Sequence, residues 1–325
     1  MKRFIARFFA YAVLFYVVLV TLNYCVDRGM LNSDFGSLKE WREILNGRAE
    51  ADVLIQGSSR AWVQYDTYLI DSLLETNSYN LGMDGAPFDI QYLRWKTWID
   101  RHPKPRMIIQ NVDLDLLDAS EQVFQKYQYL PFIADDSFRK LLAEQGILTT
   151  ADRIFPFTVY MGQPQAIRIG LESSLNLNRY PSTKYKGFEA HDAGFDGSKL
   201  ALLKQQPKRE WVVDDRQLAL FRQFIAGCKA RGIELVLVYA PVYHELDEVV
   251  ADFNASRTLF AELAQQYDLA FLDYSMTDMS NDQRYFYNTT HLNKRGATEF
   301  SRRLAENLKK VSSTFKERGT EKQKR

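Results

Sequence analysis

The chain has 325 residues, 46% hydrophobic and 14% aromatic, enough apolar material to bury the core of one large or two ordinary domains and too much for a disordered chain. With 42 basic and 41 acidic residues the formal charge is +1, which excludes the global basic footprint of a nucleic-acid-binding protein. Cys25 ends an apolar run and Cys228 sits inside an amphipathic one, so no disulfide framework or cysteine metal site is expected.

Residues 8–26 read FFAYAVLFYVVLVTLNYCV without a single charge, and as a helix they would cover about 28 Å, enough to cross a bilayer. Lys2, Arg3 and Arg7 precede the run, so the positive-inside bias puts residues 1–7 in the cytoplasm and everything after 26 outside it. A cleaved signal peptide is the competing reading. There is no convincing small-x-small cleavage site, and Leu22-Asn23-Tyr24-Cys25 is a poor lipoprotein box, so the run reads as an uncleaved signal anchor in the cell membrane. A juxtamembrane linker and helix over 27–49 follow.

From residue 50 onward strands alternate with helical patterns. Residues 52–56, 78–81 and 107–112 are short apolar or β-prone runs, and the amphipathic stretches 65–74 and 90–99 lie between them. The rhythm returns late, with a helical pattern over 217–231, a strand over 234–239, a helix over 249–266, a strand over 270–273 and a closing helix over 293–311. Strand and helix in alternation predict parallel β-α-β units within one domain over 50–312. Residues 116–213 break the pattern with Tyr, Phe, Gly and Pro. They are expected to be an insertion of short helices and long loops over one sheet edge, serving either as a lid or acceptor surface or as structural cover. Residues 313–325 read as a basic, solvated tail.

In an open parallel sheet ligands bind outside the carboxyl ends of the strands, and several reactive residue types fall there. Gly57-Ser58-Ser59 follows the first strand, Asn80-Leu81-Gly82 ends the second, and Asn111-Val112-Asp113 ends the third. Asn288-Thr289-Thr290-His291 precedes the last helix. Alone, Gly57-Ser58-Ser59 reads first as a glycine supplying unusual backbone angles before a capped helix. Joined to a distant histidine, it offers the weak alcohol nucleophile and the imidazole base that acyl transfer requires. The backbone N–H groups of Ser59 and Gly82 and the Asn111 amide are candidate donors to an oxyanion. Arg60 is a candidate contact for an anionic substrate, and His244 a candidate substrate contact. His102 and His191 lack metal-ligand spacing, and neither a metal nor another cofactor is expected. Asn288-Thr289-Thr290 and Asn254-Ala255-Ser256 also fit the glycosylation sequon.

These four blocks, in this order, resemble those of the SGNH (GDSL-like) hydrolases. Gly-Ser-Ser-Arg at 57–60 and His-Leu-Asn-Lys-Arg-Gly-Ala at 291–297 look more narrowly like the membrane-anchored branch that includes the D-alanyl transfer protein of teichoic-acid modification and resembles the alginate O-acetylation proteins. The resemblance covers residues 50–115 and 230–310, and implies a three-layer α/β/α fold of flavodoxin type. It implies Ser59 as nucleophile with Ser58 as runner-up, His291 as general base, Gly82 as oxyanion donor, and Asn111 or Asp113 in the third block. It further implies an ester-linked acyl group on a cell-envelope glycan or polymer as substrate, and a membrane-bound O-acyltransferase as partner. The usual aspartate three residues before the histidine is Asn288 here. That leaves three possibilities: Asn288 serves in its place, Asp282 moves in, or the chain is a non-catalytic binding or assembly subunit that keeps the fold.

Overall fold

The computed structural model describes residues 1–47, 49–118, 126–144, 146–155, 157–178 and 180–315, so most of the expected basic tail lies outside the described residues. In chain order the elements open with helices α1 (Lys2–Asn32) and α2 (Leu38–Leu45). Next come β1 (Val53–Gln56), α3 (Ser59–Gln64), α4 (Thr67–Leu74), β2 (Ser78–Asn80), α5 (Phe88–Arg101) and β3 (Met107–Val112). Helices α6 (Asp136–Glu144), α7 (Thr150–Ile154), α8 (Pro164–Ser174) and α9 (Ser198–Leu203) follow. The chain closes with α10 (Asp215–Ala230), β4 (Glu234–Tyr239), α11 (Phe253–Tyr267), β5 (Ala270–Asp273), the hairpin strands β6 (Phe286–Asn288) and β7 (His291–Leu292), and α12 (Lys294–Val311).

Two compact units emerge, one of residues 1–46 with 122–182 and one of 47–121 with 183–325. In the first, α1 is the one helix among the described residues long and apolar enough to cross a membrane. Its C-terminal end lies against α8 at backbone contact distance: a Cβ on Gly29 would come 1.6 Å from the Gly170 carbonyl oxygen. Trp41 of α2 packs on Tyr129 and on Phe138 of α6, with ring centroids 5.4 and 5.2 Å apart. Where the sequence suggests one insertion over 116–213, the structure divides it. Residues 122–182 join the N-terminal helices through such contacts, and 183–213 stay with the sheet.

The second unit is built on a five-stranded parallel sheet in the order β2-β1-β3-β4-β5, the flavodoxin-type order in which β1 and β3 flank the switch point. β1 and β3 are buried along their whole length, as strands covered on both faces must be, and their near-continuous apolar sequence follows from that. Two buried polar residues sit opposite each other in register. The Gln56 amide donates to Gln110 at 3.0 Å, and Gln110 donates to Gln91 at 3.0 Å. α5 and α10 meet through Phe88 and Phe221 and through Trp95 and Phe224, and α10 reaches α11 through Phe221 and Phe260. On the other face α12 packs on α4 and α3. The β1–β2 crossover runs one way along the sheet and the β2–β3, β3–β4 and β4–β5 crossovers run the other way, which places their helices on opposite faces, as right-handed connections require.

Candidate active site

Gly57 ends β1, and its φ is not in the left-handed region. The glycine is needed for space instead. A Cβ there would come 2.6 Å from the Ala61 Cβ and 2.9 Å from the Asn111 Cβ. The tight turn starts α3 at Ser59, with Ser58 in the N-cap position but making no side-chain capping bond. The Ser58 hydroxyl donates to the Asp113 carboxylate at 3.2 Å. Ser59 Oγ lies 2.8 Å from His291 Nε2.

His291 is held by a hairpin that the sequence does not announce. β6 and β7 pair antiparallel, with Asn288 opposite His291. The Asn288 Oδ1 accepts from the backbone N–H groups of Thr290 and His291, each at 3.0 Å, and lies 3.0 Å from His291 Nδ1. Two backbone donors on this oxygen identify it as the carbonyl of the amide, which favours the proton on Nδ1, a nitrogen that the Thr290 hydroxyl also meets at 3.0 Å. Nε2 is then the unprotonated nitrogen, facing the Ser59 hydroxyl. Burial, with Arg60 and His191 adding to it, depresses the His291 imidazole to about 3, so the ring is neutral across the physiological range.

The other expected groups occupy different roles. The Gly82 N–H donates to Asn80 Oδ1 at 2.7 Å, a bond within its own turn. A glycine is required at 82 because a Cβ would come 2.2 Å from the Trp62 backbone nitrogen in α3. The Asn111 amide donates to Asp113 at 3.1 Å and its Oδ1 accepts from the Tyr65 hydroxyl at 2.8 Å. The Gly82 N–H and one N–H of the Asn111 amide are thus engaged within the turns that surround Ser59. Burial pushes the Asp113 carboxyl up, while Arg60 and the Ser58 hydroxyl pull against it. Arg60 is only 3% exposed. Burial works against its charge, but Asp113, Tyr239 and Asp115 outweigh it and hold the guanidinium protonated. Arg60 and Asp113 are both buried beside the Ser58-Ser59 turn and do not face solvent. Asp282 is paired with Arg284 at 2.6 Å, and it is Asn288 that lies beside His291 Nδ1. His244 contacts the Ser280 carbonyl at 3.2 Å, and His102 stacks on Trp98.

One wall of the site is absent from the sequence reading. The Tyr287 ring stacks on His291 and on His191, with centroids 5.3 and 5.1 Å apart, and Trp62 meets His191 edge-on. The segment bearing His191 is tied down by backbone bonds, from Lys294 to the His191 carbonyl at 2.7 Å and from Asp196 to the Tyr287 carbonyl at 2.8 Å. Tyr287 could have been suspected from its place beside Asn288. His191 carries no signal in the sequence, because only the folded chain brings it near residue 291.

No family model matches the chain, and no curated protein matches it. Among solved structures, that of a Bacteroides fragilis protein provisionally described as an acylhydrolase aligns with 85% of this chain and 99% of its own, at 12% identity and a TM-score of 0.40. The arrangement of Ser59, His291 and Asn288 stands on its own geometry.

Proposed function

We propose that the protein is a membrane-anchored serine esterase or O-acyltransferase of SGNH type. The observation that carries this reading is the 2.8 Å contact between Ser59 Oγ and the acceptor nitrogen of His291, whose opposite nitrogen is fixed by Asn288. In the reaction His291 Nε2 takes the hydroxyl proton as Ser59 Oγ attacks the ester carbonyl. The oxyanion forms at the start of α3, where first-turn N–H groups, that of Ser59 among them, have no intrahelical partner. Collapse expels the alcohol, which receives the proton from His291, and leaves the acyl group on Ser59. Water or an acceptor hydroxyl, deprotonated by the same nitrogen, then releases it.

The apolar helix α1 and the basic residues before it support a signal anchor with the sheet unit on the extracytoplasmic side. The sequence resemblance supports an acyl-bearing envelope glycan or polymer as substrate and a membrane-bound O-acyltransferase as partner. A non-catalytic binding subunit is the second reading, and the engagement of the Gly82 N–H and the Asn111 amide favours it. A fluorophosphonate probe separates the two. Covalent labelling of the full chain that is lost in Ser59→Ala and in His291→Ala is the expected result for an enzyme. Absence of labelling in the folded wild type would instead assign the binding role.

A further inference from the structure

The charge-free stretch of α1 ends at Asp27, yet the first unit begins to cover the helix before that point. The backbone N–H of Phe157 donates to the Asn23 side chain at 2.9 Å, and the Tyr160 hydroxyl bonds Asp27. Asn23 lies four residues, about 6 Å, inside the apolar stretch. The loop between α7 and α8 is therefore held at the depth where a bilayer crossed by α1 would meet water.

That loop has the composition of a membrane interface. Residues 154–167 contain no charged side chain, in a chain that is 26% charged. Ile154, Phe155 and Met161 are 53%, 55% and 66% exposed, an apolar set with no cover among the described residues. The polar tips of Asn23 and Tyr160 anchor its base.

The direction of α8 fixes which end of the unit this is. Gly170 lies against Val26, and Gly29 lies against Gly170 and Ser174, so α8 runs in the same sense as α1. Its first residues lie toward the apolar stretch. Leu175 and Leu177, which follow its last turn and are more exposed still, lie at the far end.

We propose that the loop bearing Ile154, Phe155 and Met161 inserts into the lipid interface of the bilayer that α1 crosses, giving the first unit a second attachment beside its anchor. The proposal rests on the membrane-spanning reading of α1. Because the loop is uncharged, insertion is driven by burial of apolar surface and needs no anionic lipid. Continuity with the lipid-facing surface of α1 singles out lipid as the occupant over another protein.

The test uses the full chain with Cys25→Ser, reconstituted in phosphatidylcholine vesicles, with Cys228 left in place because it is buried. Nitroxide labels are placed singly through Phe155→Cys, Met161→Cys, Leu177→Cys and Leu14→Cys. Accessibility to oxygen, which concentrates in lipid, is compared with that to a water-soluble nickel complex. The expected result is an oxygen-to-nickel ratio several-fold higher at 155 and 161 than at 177, and higher still at 14. A lipid-like ratio at 14 with ratios at 155 and 161 equal to that at 177 overturns the insertion while leaving the anchor standing. An aqueous ratio at 14 overturns both. Labels at 155 and 161 that are immobilised and shielded from both reagents show a protein on the loop, and that outcome also overturns the proposal.

Discussion

Asn288 is the residue on which the proposed chemistry turns. Its carbonyl oxygen gives His291 the same tautomer that a carboxylate would, but it supplies no charge to stabilise the imidazolium. The ring is thus correctly oriented and poorly basic. Asn288→Asp should raise the His291 pKa above its present value of about 3 and increase the fluorophosphonate labelling rate about tenfold for each 1.4 kcal/mol gained. Asn288→Ala removes the acceptor from Nδ1 and two backbone anchors of the hairpin, and should slow labelling by about 10²-fold or more. Stability carries a related signature. Between an unfolded pKa near 6.5 and the folded value of about 3, the unfolded chain binds a proton that the folded chain does not. The contribution of neutral His291 is therefore fully present above about pH 6.5 and is lost as the pH falls toward 3. Urea midpoints of wild type and His291→Gln, compared at pH 7.5 and 4.5, should show the wild type losing more stability on acidification.

At the level of elements, Ser59, the proposed nucleophile, is positioned by what two glycines omit. Gly57 lets β1 turn into α3 between Ala61 and Asn111, and Gly82 lets the loop after β2 touch the α3 backbone. Gly82→Ala should cost about 1–3 kcal/mol by overpacking and displace Ser59 from His291. Denaturant melts and the labelling rate would both register the change. Strand ends were legible in the sequence because buried parallel strands are short, apolar and bounded by Gly, Pro or Asn, and β3, β4 and β5 lie at the residues expected from that pattern. The β6-β7 hairpin was not legible. It is short, its register is set by one asparagine oxygen rather than by alternation, and it resembles a loop until its partner strand is in place.

Across the whole molecule, the chain leaves the sheet unit near residue 121 and returns near 183, and the excursion builds a partner for α1. Gly29 and Gly170 permit that contact by having no side chains. Removing residues 1–32 should therefore raise hydrogen-exchange rates of the amides in α8, while those in β1 and β3, buried within their own sheet, keep their protection. Unchanged exchange in α8 would show that the segment holds itself together. A sequence reading treats 116–213 as one insertion because its composition is uniform, and composition carries no record of which surface each part covers.

By itself the sequence determined the apolar helix, the parallel α/β rhythm and the strand ends at which Ser59 and Asn111 lie, with His291 in the segment before the last helix. All of these follow from local periodicity and from where glycine and asparagine interrupt it. Tertiary structure alone decided the rest. It bonded the Gly82 N–H to Asn80 and the Asn111 amide to Asp113, buried Arg60 and Asp113, stacked Tyr287 between His291 and His191, and assigned 122–182 to α1. Each of these depends on which atoms approach within hydrogen-bonding or van der Waals distance across dozens of residues, and residue type and spacing along the chain do not encode that distance.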